Sequence, residues 1–68
     1  GSVFDILNIN SSETPITICL FDMDHNLIDY QYTSEEGSYS FQDISRGHYW
    51  LSADYTGIPA RPKLIFIE

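Results

Sequence analysis

Thr33–Tyr55 reads TSEEGSYSFQDISRGHYWLSADY, and two alternating runs inside it decide the fold class. In the first, Tyr39 and Phe41 alternate with Ser38, Ser40 and Gln42; in the second, Tyr49, Leu51 and Ala53 alternate with Trp50, Ser52 and Asp54. Alternation of this kind puts like residues on one side of an extended strand. A short connection through Ile44 and Gly47 joins the runs, so the stretch reads as a β-hairpin with one apolar and one mostly polar face. A one-faced sheet must bury that face against a second layer. The expectation is therefore an all-β chain, a small antiparallel β-sandwich, and not a catalytic α/β scaffold.

The flanks supply more strands and little room for helix. Val3–Ile9 has the β-branched and aromatic content of a strand, and the polar run Asn10–Pro15 follows as a loop. Ile16–Phe21 is the next strand and Asp22–Asn26 a turn by composition. Leu27–Thr33 alternates again, with Ile28, Tyr30 and Tyr32 against Asp29 and Gln31. Ser34–Gly37 turns the chain into the central stretch. Gly57, Pro59 and Pro62 punctuate a loop over Thr56–Pro62, and Lys63–Ile67 closes the domain. The total is roughly six strands, enough for two small packed sheets.

Composition bounds the rest. The chain has 68 residues, 43% of them hydrophobic and 15% aromatic, which suits one compact domain and argues against disorder. Ten acidic residues against three basic ones give a formal charge of −7, which repels a nucleic-acid backbone or an anionic membrane surface. No apolar run approaches membrane-spanning length, so membrane insertion is not expected. The single cysteine, Cys19, has no partner for an internal disulfide and reads as a small semi-buried hydrophobe, which leaves the compartment undecided. Gly1-Ser2 has the look of a cloning remnant, and residues 3–68 read as one module taken from a longer protein.

The order ITICLFD, DMDHN, TSEEG and then SYSFQDISRGHYWLSA resembles small β-sandwich domains of bacterial surface proteins: the collagen-adhesin B-type, serine-aspartate-repeat B-like and carboxypeptidase regulatory-like (transthyretin-like) families. Their shared pattern is an acidic-Gly turn, an aromatic-x-Phe strand, a short connection and Gly-x-Tyr. Thr33, Gly37, Tyr39, Phe41, Ile44, Gly47 and Tyr49 fall on those positions. The resemblance covers Ile16–Tyr55 and implies a prealbumin/transthyretin-like or Ig-like Greek key, outside or in the wall of a bacterial cell. It implies a non-catalytic structural, spacer or accessory module, with an adhesion or carbohydrate-binding module and a regulatory-like domain of a carboxypeptidase or transport receptor as alternatives. Neighbouring domains of the parent chain, a host protein or a polysaccharide are the partners so implied, and a monomer is expected. Many B-type domains carry an internal Lys–Asn isopeptide bond; here Lys63 is on the closing strand and no Asn follows Asn26, so no such crosslink is expected.

The candidate sites are few. The string LFDMDHNLID is similar to the opening motif of haloacid-dehalogenase-type phosphatases, but His25 and Asn26 replace its Gly and Thr, and 68 residues cannot hold the parallel sheet that chemistry needs. Asp22, Asp24 and Asn26 begin like an EF-hand loop, yet Leu27 and Thr33 stand where that loop requires Gly and a bidentate Glu. A looser oxygen site for Ca²⁺ on these three residues stays open beside the plain reading of a solvated turn; no other cofactor is expected. His25 and His48 lack zinc spacing and read as surface residues. With no nucleophile beside a base, no catalytic residue is named and the chain is read as a non-enzyme. Trp50 is the strongest binding candidate. Alternation turns it away from Tyr49 and Leu51, and Phe21 lies on the matching outer side of its own strand; Tyr55 is named with them as a ligand-binding candidate. The competing reading has Trp50 merely covering the outer sheet or packing on the Ile58–Pro62 loop. Arg46 and Arg61 are read as balancing nearby acids.

Overall fold

The computed structural model describes residues 1–6, 15–55, 58–59 and 62–68, with the backbone alone at 54–55 and 58–59. Among the described residues there are seven strands and no helix: β1 (Val3–Ile6), β2 (Thr17–Phe21), β3 (Leu27–Tyr32), β4 (Ser38–Phe41), β5 (Gly47–Tyr55), β6 (Ile58–Pro59) and β7 (Lys63–Ile67). No helix among the described residues is long and apolar enough to cross a membrane. All pairings are antiparallel and form two sheets, β1–β4 and a larger β3–β2–β5 sheet in which β6 and β7 share the far edge of β5. The loop expected over Thr56–Pro62 thus contains a two-residue strand. Residues 7–9 of the expected first strand lie outside the described residues.

The two sheets share one core. Ile16, Ile18 and Leu20 from β2 and its approach, Tyr39 and Phe41 from β4, Ile44, Tyr49 from β5 and Ile67 from β7 are all buried together, with Val3, Leu51, Ala53 and Ile65 packed against them. The interior set Tyr39, Phe41, Tyr49 and Leu51 read from the central stretch therefore holds, with Leu51 only half-buried. Burial lifts the Tyr39 phenol above its ordinary ionisation range, and the carboxylate of Asp5, its cross-strand neighbour, adds to the shift.

The hairpin expected within that stretch does not form. β4 pairs with β1, matching Val3 to Phe41 and Asp5 to Tyr39, whereas β5 pairs with β2 and β7, matching Leu20 to Leu51 and Tyr49 to Ile65. Residues 42–46 instead cross from one sheet to the other. Asp43 adopts φ 59° and Gly47 φ 155°, two unusual backbone turns that redirect the chain. Ile44 is buried inside the crossing, and the Tyr49 hydroxyl donates to the Ser45 carbonyl at 2.6 Å, tying the crossing to the strand it feeds. Alternating strands joined by a few residues can pair side by side or face each other across a core; in either case their apolar faces are buried, so the pattern alone does not separate the two.

β3 turns its polar side inward. Its apolar set, Ile28, Tyr30 and Tyr32, points away from the core and is exposed, while Asp29 and Gln31 are the half-buried ones. Register explains it. Asp29 and Gln31 stand opposite the buried Leu20 and Ile18, and directly opposed residues share a face. The polar inner face has a use at the corner where β3 and β4 part. Their turn is closed by Ser34 N–H to the Ser38 carbonyl at 3.0 Å, with Gly37 at φ 85° as its sequence position requires. Beyond it the strands diverge into different sheets, and the Ser40 amide donates to Gln31 Oε1 at 3.3 Å in place of a ladder bond.

Candidate functional site

Reversing β3 builds a broad outer face on the larger sheet. Parity of the ladders places Tyr30 beside Cys19 and Ser52, and Tyr32 beside Thr17. One row runs across four strands, from Leu27 on β3 through Phe21 and Trp50 to Leu64 on β7. A register shift between Leu20 and Phe21 turns both Leu27 and Ile28 to solvent on this edge. The next position pairs His48 with Phe66. Among the strand residues of this face whose side chains are described, Thr17, Cys19, Phe21, Leu27, Ile28, Tyr30, Tyr32, His48, Trp50, Ser52, Leu64 and Phe66, none carries a carboxylate.

The rings form three local groups. Trp50 is half-buried and the imidazole of His25 lies nearly parallel to it, centroids 6.4 Å apart and planes inclined by 18°. His25 reaches this position from the β2–β3 turn with φ 67°, a left-handed conformation costly for a side chain other than Gly. Tyr30 and Tyr32 meet edge to face at 5.9 Å. Phe66 contacts His48 at 4.9 Å and lies under the Arg46 guanidinium, whose Cζ is 5.7 Å from the ring centroid. The expected balance of Arg46 against an acid has no counterpart among the described residues, where Arg46 makes no ion pair and Phe66 is its partner. Arg61 lies outside the described residues.

Phe21 and Trp50 are thus brought side by side as their strands' alternation predicts. The side chain of Tyr55 lies outside the described residues. Trp50 has His25 as its described ring neighbour; the side chains at 58–61, on which Trp50 is alternatively expected to pack, lie outside the described residues. The sequence pattern alone does not mark Tyr30, Tyr32, Leu64 or Phe66 as residues of this face. Asp29 and Gln31 were the signal available for β3, since an edge strand can turn its polar face inward; β7 offered none, because Leu64 and Phe66 alternate with the equally apolar Ile65 and Ile67.

The acidic turn between β2 and β3 is self-contained. Asp22 Oδ1 accepts the amides of Asp24 and Asn26, each at 2.9 Å, and Oδ2 accepts Asn26 Nδ2 at 3.2 Å. The Asn26 amide, followed by the Asn26 side chain, the Asp24 amide and nearby His25, holds the Asp22 carboxyl below its ordinary value against a smaller opposing effect of desolvation. The main chain closes the same turn through Asp22 N–H to the Asn26 carbonyl at 2.9 Å and His25 N–H to the Asp22 carbonyl at 3.1 Å. Asp24 and Asn26 are exposed on it. Among the described residues no group of three or more His, Cys, Asp or Glu side chains is arranged to hold a metal ion. What the outer face offers chemically is a set of ring faces, imidazole and hydroxyl groups fit for stacking and hydrogen bonding. No protein-family model, curated protein or solved structure matches this chain.

Proposed function

We propose that the chain is a non-catalytic accessory module of a bacterial cell-surface or secreted protein, folded as a small transthyretin-like β-sandwich, and that it holds a carbohydrate on the outer face of its larger sheet. The observation that carries this reading is the gathering of exposed Tyr30, Tyr32 and Phe66 with half-buried Trp50 on the outer face of the larger sheet. Aromatic faces stack on the C–H side of sugar rings, and His25, His48 and Ser52 stand among them as hydrogen-bonding groups. A contiguous apolar patch of this kind is unusual on a domain that only spaces its neighbours. The core common to both sheets supports the sandwich. The positions of Gly37, Tyr39, Phe41, Gly47 and Tyr49 support the bacterial surface-domain likeness, on which the extracellular location rests.

The test is a glycan array probed with the labelled chain, followed by titration of the hits against the emission of Trp50, the chain's single tryptophan. Binding that falls about tenfold in Trp50→Ala, and again in Tyr30→Ala, with the melting transition preserved, is the expected outcome. Silence across the array, with no change in emission, leaves a spacer or a regulatory-like domain and overturns the proposal.

A further inference from the structure

With ten acidic residues in the chain and three basic ones, a guanidinium ordinarily finds a carboxylate. Arg46 does not: among the described residues its one partner is the Phe66 ring. His48, two residues further on, leans on the same ring with planes inclined by 59°. Arg46, His48 and Phe66 are all exposed, so the guanidinium is accessible to a ligand at one end of the aromatic face. Lys63, the other described basic side chain, is matched to Leu51 and so belongs to the opposite side of the sheet. The described carboxylates lie elsewhere: Asp22, Asp24, Glu35, Glu36 and Asp43 in turns and connections, Asp5 and Asp29 on the inner sides of their strands, and Glu68 after β7; the side chain of Asp54, which β5 pairs with Thr17, lies outside the described residues.

We propose that Arg46, with His48 and Phe66, is the anchoring subsite for a carboxylate on the glycan bound by this face, so that the ligand is an oligosaccharide carrying isolated acidic sugars. The inference rests on the carbohydrate reading above. A guanidinium grips a carboxylate through paired N–H···O bonds, the His48 ring adds a donor, and the exposed Phe66 ring packs beside the apolar side of the sugar. The charge distribution selects how dense the acid is. A net charge of −7 repels a continuous polyanion, whereas one carboxylate in an otherwise neutral chain feels chiefly the contact at Arg46, because screening reduces the distant turns over a Debye length of about 8 Å.

The experiment titrates the full chain with matched pairs, sialyllactose against lactose and a glucuronate-capped disaccharide against its neutral counterpart, reading Trp50 emission and amide shifts. The acidic member of a pair is expected to bind at least about tenfold more tightly, and Arg46→Gln to erase that preference while Arg46→Lys restores only part of it. Equal binding of acidic and neutral members, or a preference that survives Arg46→Gln, overturns the subsite and leaves the carbohydrate reading standing. No response to any member or to a wider array overturns both. Binding of an acidic peptide where no glycan binds does so as well.

Discussion

Thr33 and Ile16 are joined twice. The Ile16 amide donates to Thr33 Oγ1 at 2.9 Å, and the Thr33 amide donates to the Ile16 carbonyl at 2.9 Å. Both residues are buried, and together they finish the β2–β3 ladder just beyond its last paired strand residues, Thr17 and Tyr32. Thr33→Val keeps the shape and removes the acceptor, leaving the buried Ile16 N–H unsatisfied. A loss of about 1–3 kcal/mol is expected in urea denaturation, with Thr33→Ser retaining most of the stability. Equal stability of the Val and wild-type chains would show that this hydroxyl is dispensable.

Phe41 is fully buried between the sheets. Phe41→Ala empties its place in the shared core and is expected to cost about 3–5 kcal/mol, enough to unfold a domain of this size. Phe41→Leu, which retains more volume, should remain folded with a lowered midpoint. Tyr32→Ser, on the outward face of the same molecule, should move stability by no more than roughly 0.5–1 kcal/mol. If Tyr32→Ser were as damaging as Phe41→Ala, the orientation of β3 would be wrong.

The Tyr49 hydroxyl ties the sheet crossing through the Ser45 carbonyl. Tyr49→Phe leaves the ring in the core and removes this one bond, so a loss of about 0.5–1.5 kcal/mol is expected, about 4–8 °C in melting temperature for each kcal/mol. Amide exchange should quicken most over residues 42–46. Uniform quickening across both sheets would contradict a local tether.

Asp22 sets an acid-side dependence. Its folded-state carboxyl lies below the ordinary 3.8, held there first by the Asn26 amide. A depressed acid contributes stability that is present above the unfolded value and lost as pH falls through the folded one. Wild type should therefore exceed Asp22→Asn in melting temperature at about pH 7, and the gap should close at about pH 2. A gap that stays constant between these conditions would assign the difference to the lost turn geometry, not to the charge.

Much of the core was legible from alternation alone. Tyr39, Phe41, Tyr49 and Leu51 face the interior because like residues two apart share a side, whatever each strand pairs with. Phe21 and Trp50 share the outer face for the same reason, and Gly37 marked a turn because its positive φ needs a residue without Cβ. Strand partnership was not legible. It depends on contacts between segments distant in the chain: Val3 finds Phe41, and Leu51 finds both Leu20 and Lys63.

What the sequence by itself determined is the period-two patterning, and with it the all-β class, the turns and most of the inward-facing residues, since these follow from local stereochemistry and the need to bury apolar surface. Tertiary structure alone decided that β4 and β5 belong to different sheets that share one core, and that Tyr30 and Tyr32 look outward while Gln31 turns in to meet Ser40. The physical reason is register. An alternating edge strand can present either side to the core, and the choice fell to its fit against Ile18 and Leu20 on β2 and to the open Ser40 amide on β4, neither of which its own residues encode.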